Sequence, residues 1–149
     1  MSANNTKEIY RLNYLIGETD AAYHELALTF GLSDSVMRIL YAICDMGDPC
    51  PLAMICRRSG LSKQTVNSAL RHLEKDGIVY LEQRDAKHKN VRLTDAGKAL
   101  ADRTARQVLE AENTIFSEWP AADREQYLAL TERYLIGLRE KTKEIKQKI

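Results

Sequence analysis

Residues 51–94 constrain this chain more than any other stretch; they read PLAMICRRSGLSKQTVNSALRHLEKDGIVYLEQRDAKHKNVRLT. A short apolar-periodic run ends at Ser59-Gly60-Leu61, and a second begins after Ser62. Gly77 closes the second run, and two β-prone stretches follow around a basic tip. Two helices joined by a glycine-containing turn and followed by a β-ribbon make a winged helix-turn-helix. In such a unit the second helix enters the major groove of DNA.

The second helix of the pair is expected over residues 62–76, with Ser62 as N-cap. Val66, Ala69, Leu70 and Leu73 recur at i, i+3, i+4 and i+7 and define its buried stripe. The opposite face carries Lys63, Gln64, Asn67, Ser68 and Arg71. Gln64 and Asn67 suit adenine edges, and Arg71 suits guanine or a phosphate. Lys63 and Thr65, near the helix start, are expected to position the DNA backbone, and Ser62 and Ser68 complete the candidate set. Strands are expected over 78–83 and 90–93, around the tip Arg84-Asp85-Ala86-Lys87-His88-Lys89. Arg84, Lys87, His88 and Lys89 are its candidate DNA contacts, with Lys87 and Lys89 aimed at phosphates.

Charge distribution supports this reading. The net charge is only +1, but residues 57–92 hold nine Lys/Arg against four Asp/Glu, a local net of +5. The remainder carries thirteen basic and seventeen acidic residues, a net of −4. The positive field is thus concentrated where phosphates would lie.

Around this lobe the apolar pattern is helical. A first helix is expected over residues 5–30, with Ile9, Leu12, Ile16, Tyr23, Leu26 and Phe30 on one side and Gly31 as its stop. Ser33 caps a second helix reaching Met46, with Val36, Met37, Leu40, Ile43 and Cys44 facing inward. A third covers 52–58 and buries Leu52, Ile55 and Cys56. Thr94 caps a fifth, expected to continue to Glu118, where Trp119-Pro120 breaks the pattern. A sixth runs from about residue 122 toward the C-terminus, with Tyr127, Leu130, Tyr134, Leu135 and Leu138 along it. The fold class is therefore mainly α, in the α+β sense: one domain over 1–149, with a winged helix-turn-helix lobe at 33–94 and long terminal helices at 5–30 and 110–149. Such long helices cannot cover their own apolar stripes and need a partner.

Other classes find little support. A hydrophobic fraction of 44% with 29% charged residues suits a globular chain. No apolar run approaches the length of a membrane span, and MSANNTKEIYR has no secretory core, so a cytoplasmic location with no membrane partner is expected. There is no glycine-rich phosphate loop, HExxH or nucleophile elbow, so neither an enzyme nor a catalytic residue, cofactor or metal site is expected. The three cysteines, Cys44, Cys50 and Cys56, match no zinc spacing. Cys44 and Cys56 read as small core residues. Cys50, between Pro49 and Pro51 and just before a helix, is a candidate reactive thiol, since a helix N-terminus can lower a thiol pKa. Redox sensing through Cys50 is one alternative function. A winged helix that contacts only protein is another, opposed by the basic bias.

Leu61-Ser62, the run Leu73-Glu74-Lys75-Asp76-Gly77-Ile78-Val79 and the junction Leu93-Thr94-Asp95-Ala96-Gly97 resemble the MarR family of bacterial transcriptional regulators. The junction is similar to that family's Leu-Thr-x-x-Gly, and the likeness spans nearly the whole chain. It implies a homodimer whose first and last helices interlock, two winged lobes on double-stranded DNA, and a repressor of a pseudo-palindromic operator. It also implies a small aromatic or anionic effector held near Tyr14, Tyr23, Arg38 and Tyr41, with Tyr10 and His24 in the same region. The wing departs from the family: its usual Asp-Arg-Arg tip reads Asp85-Ala86-Lys87 here. Asp85 matches the family aspartate that helps hold the wing. Lys87 keeps the charge of the usual arginine without its planar fork.

Overall fold

Local signals set the element boundaries in the computed structural model, which describes residues 4–149. In chain order the elements are α1 (Thr6–Thr29), α2 (Asp34–Met46), β1 (Cys50–Pro51), α3 (Leu52–Ser59), α4 (Lys63–Lys75), β2 (Val79–Gln83), β3 (Lys89–Leu93), α5 (Asp95–Arg103), α6 (Ala105–Ser117) and α7 (Ala121–Gln147). Three hydroxyl side chains start helices by accepting a free backbone N–H. Ser33 caps α2 through Val36 N–H, Ser62 caps α4 through Thr65 N–H, and Thr94 caps α5 through Gly97 N–H. Two helices end in paired turns closed by a left-handed glycine. At α1, Gly31 (φ 72°) donates to Leu28 O and Leu32 to Ala27 O. At α4, Gly77 (φ 73°) donates to Glu74 O and Ile78 to Leu73 O.

The chain divides into two compact units, Met1–Leu109 and Glu110–Ile149. In the first, α2, α3, α4 and the sheet share one core. Ile39, Leu40, Ile43, Cys50, Ile55, Val66 and Val91 are all at most 1% exposed. The sheet is antiparallel in the order β1-β3-β2. Register pairs Val79 with Leu93 and Leu81 with Val91 on the core side. On the other face Arg92 Nε donates to Glu82 Oε2 at 2.7 Å. His24 of α1 meets Asp34 at the start of α2, Nδ1 to carboxylate 2.9 Å.

In the second unit the end of α6 and the start of α7 are tied by rings. Phe116, Trp119 and Tyr127 lie with centroids 5.1 to 6.0 Å apart. Arg124 Nη1 donates to the carbonyls of Phe116 (3.1 Å) and Trp119 (2.5 Å), both released where the helix stops before Pro120. No residue of α7 is buried.

Two features differ from expectation. A third strand, β1, precedes α3 and pairs Cys50 with Val91. The single helix expected from Thr94 to Glu118 is two helices that meet at Thr104. Thr104 Oγ1 donates to Leu100 O at 2.6 Å, taking the carbonyl its own N–H would use, and that N–H turns to Ala101 O instead. Threonine bonding back to the i−4 carbonyl is a known way to bend a helix. Thr104 leaves the helical region (φ −128°, ψ −93°) and is only 2% exposed.

Candidate nucleic-acid interface

Helix α4 is amphipathic in the required sense. Val66, Ala69, Leu70 and Leu73 are buried, while Lys63, Gln64, Ser68 and Arg71 are exposed and Asn67 is half-buried. Lys63, Gln64, Asn67, Ser68 and Arg71 line one open cleft of about 530 Å³. A second, about 590 Å³, runs between α4 and the start of α2 and adds Ser33, Ser35 and His72 to Gln64 and Ser68. Those three are absent from the sequence candidates; the Ser33 cap signal draws attention to that edge, but nothing in sequence places it beside α4. Ser62 and Thr65 are engaged with each other: Ser62 Oγ accepts Thr65 N–H at 3.1 Å and donates to Thr65 Oγ1 at 2.8 Å. Their hydroxyls fix the helix start and are less free than the residues that follow.

On the wing, Arg84, Lys87 and His88 are exposed at the tip between β2 and β3, and Lys89 is exposed at the start of β3. Asp85 organises it. Its carboxylate accepts the backbone N–H groups of Lys87 (2.9 Å) and His88 (3.0 Å) and contacts His88 Nδ1 at 2.7 Å. The Lys87 N–H first, and then the His88 ring, hold the Asp85 carboxyl below the usual carboxylate range. Among the described residues Lys63, Arg71, Lys87 and Lys89 make no ion pair, so their charges are not neutralised within the chain.

The wing is anchored at its base. Thr94 N–H and Thr94 Oγ1 both donate to Ile78 O, at 3.0 and 3.1 Å, and Thr94 Oγ1 also reaches Gly77 O at 2.5 Å. A Cβ on Gly97 would collide with that same Ile78 carbonyl. The Leu93-Thr94-Asp95-Ala96-Gly97 junction thus has a physical reason for both its threonine and its glycine.

Residues 30–89, which include this lobe up to the end of the wing tip, match the sequence model of the MarR family. The lobe is a winged helix similar in sequence to the MarR family. Similar solved structures extend the fold over most of the chain. A MarR-family transcriptional regulator from Silicibacter pomeroyi is 28% identical with a TM-score of 0.68, covering 87% of this chain and 88% of that one. S. aureus MepR in its DNA-binding conformation is 23% identical with a TM-score of 0.70, covering 88% and 98%. A MepR–DNA complex from the same organism is 22% identical with a TM-score of 0.65, covering 93% and 99%. No curated protein sequence matches the chain.

The remaining MarR-derived candidates are less concentrated. Tyr14 and Tyr23 lie exposed on α1, whereas Tyr41 of α2 packs against the core. Arg38 directs Nη1 toward Ser59 O at 3.5 Å, at the turn between α3 and α4. No single helix among the described residues is long and apolar enough to cross a membrane. No group of three or more His, Cys, Asp or Glu among them is placed to hold a metal.

Cys50 corrects an expectation. It does precede a helix, but β1 buries it against β3 and it is 0% exposed. Burial, and then the Asp48 carboxylate, push its thiol up to about 11, opposite to the lowering expected from the helix dipole. Cys44 is likewise raised, by burial first. At pH 8, iodoacetamide should therefore label Cys50 about 100-fold more slowly in the folded protein than in urea, following the thiolate fraction. Peptide mass spectrometry over a time course checks this; equal rates in the two states would restore a reactive Cys50.

Proposed function

We propose that this chain is a sequence-specific DNA-binding transcriptional regulator, most simply a repressor, that binds a pseudo-palindromic duplex as a homodimer. The observation that carries the reading is α4, whose apolar stripe is consumed by the core while Gln64, Asn67, Ser68 and Arg71 stay accessible in an open cleft. The S. aureus MepR–DNA complex supports it as a structural relative whose duplex-bound state is known. In this reading α4 enters the major groove, with Gln64 and Asn67 reading adenine edges and Arg71 reading guanine or a phosphate. Ser62, Lys63 and Thr65 set the approach, and Arg84, Lys87, His88 and Lys89 carry the wing to the backbone. An enzyme is not part of the proposal.

Dimerisation is supported by the terminal helices. Among the described residues α1 exposes Ile9, Tyr14, Leu15, Ile16 and Tyr23, and α7 exposes Tyr127, Leu130, Tyr134, Leu135 and Leu138, all at 42% or more. Apolar stripes of this length call for a partner surface, and two copies would place half-sites about one helical turn apart. A small-molecule effector near Tyr14, Tyr23, Arg38 and Tyr41 is a further part of the proposal, and it must bind the DNA-incompetent state more tightly to release the operator. In Bordetella bronchiseptica BpsR, a structural relative at 17% identity and a TM-score of 0.61, 6-hydroxynicotinic acid regulates DNA binding. The burial of Cys50 weighs against redox sensing as the alternative.

The test is fluorescence anisotropy with the duplex immediately upstream of the coding gene, titrated across salt. Affinity should fall steeply as salt rises. Lys87→Ala and Lys89→Ala should each flatten the slope by about one unit for every phosphate the wing lets go, with base preference unchanged. A salt slope equal to wild type in both variants would take the wing off the DNA, and no binding to any duplex at low salt would remove the reading.

A further inference from the structure

His88 sits beside Lys87 at the wing tip, and its surroundings are specific. Both Asp85 oxygens lie close to His88 Nδ1, at 2.7 and 2.9 Å, while Asp85 also accepts the Lys87 and His88 backbone N–H groups. The turn is closed behind them by Arg84 N–H to His88 O (2.9 Å) and Gln83 Nε2 to Asp85 O (2.5 Å). A carboxylate can only accept, so Nδ1 carries its hydrogen whether the ring is neutral or charged. Nε2 is then the atom that gains or loses the proton. The charged groups around the ring are Asp85 in contact, Arg84 with Nε 4.0 Å from Asp85, and the flanking Lys87 and Lys89.

We propose that His88 is a DNA contact whose engagement requires proton uptake at Nε2, with Asp85 as the positioning residue that fixes its ring. This rests on the DNA-binding reading and adds to it a dependence on pH. Protonated, the ring offers a charged Nε2–H donor between two lysines, suited to a phosphate oxygen. Neutral, the same atom offers a lone pair and no charge, and it no longer holds the phosphate. Asp85 remains a carboxylate from pH 5.5 to 8, because its carboxyl is held below the usual range.

The chain has three histidines, His24, His72 and His88, so the contribution of His88 can be separated from that of another imidazole. A fluorescein-labelled duplex of mixed sequence, about 24 base pairs long, serves as probe, because wing contacts to phosphates do not depend on sequence. Binding by the full chain is measured across salt at pH 5.5 and pH 8. For each wing on DNA the salt slope should steepen by about 0.9 at the lower pH, which corresponds to about eightfold tighter binding at 0.1 M salt. His88→Gln should bind at both pH values as the parent does at pH 8, while His24→Gln keeps the full response. Asp85→Asn should shrink the pH response, whereas a purely structural role at the turn would weaken binding at both pH values alike. A response that survives His88→Gln, or vanishes in His24→Gln, overturns the assignment. Duplex binding with the same slope at both pH values overturns proton-coupled engagement and leaves the DNA reading standing. No duplex binding at either pH overturns both.

Discussion

Gly97→Val is expected to destabilise the lobe by about 3 kcal/mol or more, the upper range for forcing atoms into a filled site. The cause is steric. Gly97 is an ordinary helical position in α5, but its missing Cβ leaves room for the Ile78 carbonyl, with a Leu93 methyl 3.3 Å from the same point. The obstacle is backbone and cannot swing aside. Moving it would also strain the two bonds Ile78 O accepts from Thr94. Gly97→Ala should show most of the same loss, since the first carbon already collides. Gly17→Ala, in α1 with nothing within 4 Å, should instead be neutral or stabilise by up to about 1 kcal/mol. Urea unfolding of the three variants decides the matter; a Gly97→Ala protein as stable as wild type would contradict the crowding described.

Leu135→Asp is expected to raise the dissociation constant of the proposed dimer about a thousandfold, equivalent to about 4 kcal/mol, because a carboxylate would be taken out of water with no partner. Leu135 is on α7, which has no fully buried residue, and is 42% exposed there. The variant should keep its monomer fold for the same reason. Sedimentation at micromolar concentration would show a monomer with an unchanged circular dichroism spectrum, and operator binding would fall with it. A Leu135→Asp protein that stayed dimeric would place the interface elsewhere.

Much of the lobe is readable from sequence because its boundary signals are local. Ser33, Ser62 and Thr94 cap helices through hydroxyls only three residues from the N–H they satisfy, and Gly31 and Gly77 stop helices with a backbone angle other residues avoid. The α4 polar face follows from a period of 3.6. What escapes depends on distant pairing or on competition. A two-residue strand at Cys50-Pro51 has no periodicity to detect, and its partner Val91 is far along the chain. The Cys50 thiol misleads for that reason, since the helix that follows it is visible in sequence and the strand that buries it is not. The α5–α6 break is hidden because Leu100, Ala101, Ala105 and Val108 keep a helical rhythm through Thr104, and the hydroxyl that diverts a carbonyl leaves no trace in an apolar pattern. At the wing Asp85 is legible as an anchor; that His88 is what it grips is not.

The convergence on the Ile78 carbonyl has a consequence for how such a chain can vary. Both ends of the ribbon are pinned at one atom: the residue just before β2 carries it, and the junction after β3 and the helix that follows close on it through Thr94 and Gly97. Everything between Gln83 and Lys89 hangs beyond that clasp, closed by its own Asp85 turn and owing the core no side chain. The tip is therefore an exchangeable cassette. It can be lengthened, shortened or recharged without disturbing α4, so under the proposed function drift in this hairpin would retune affinity for the DNA backbone while sequence preference is inherited unchanged.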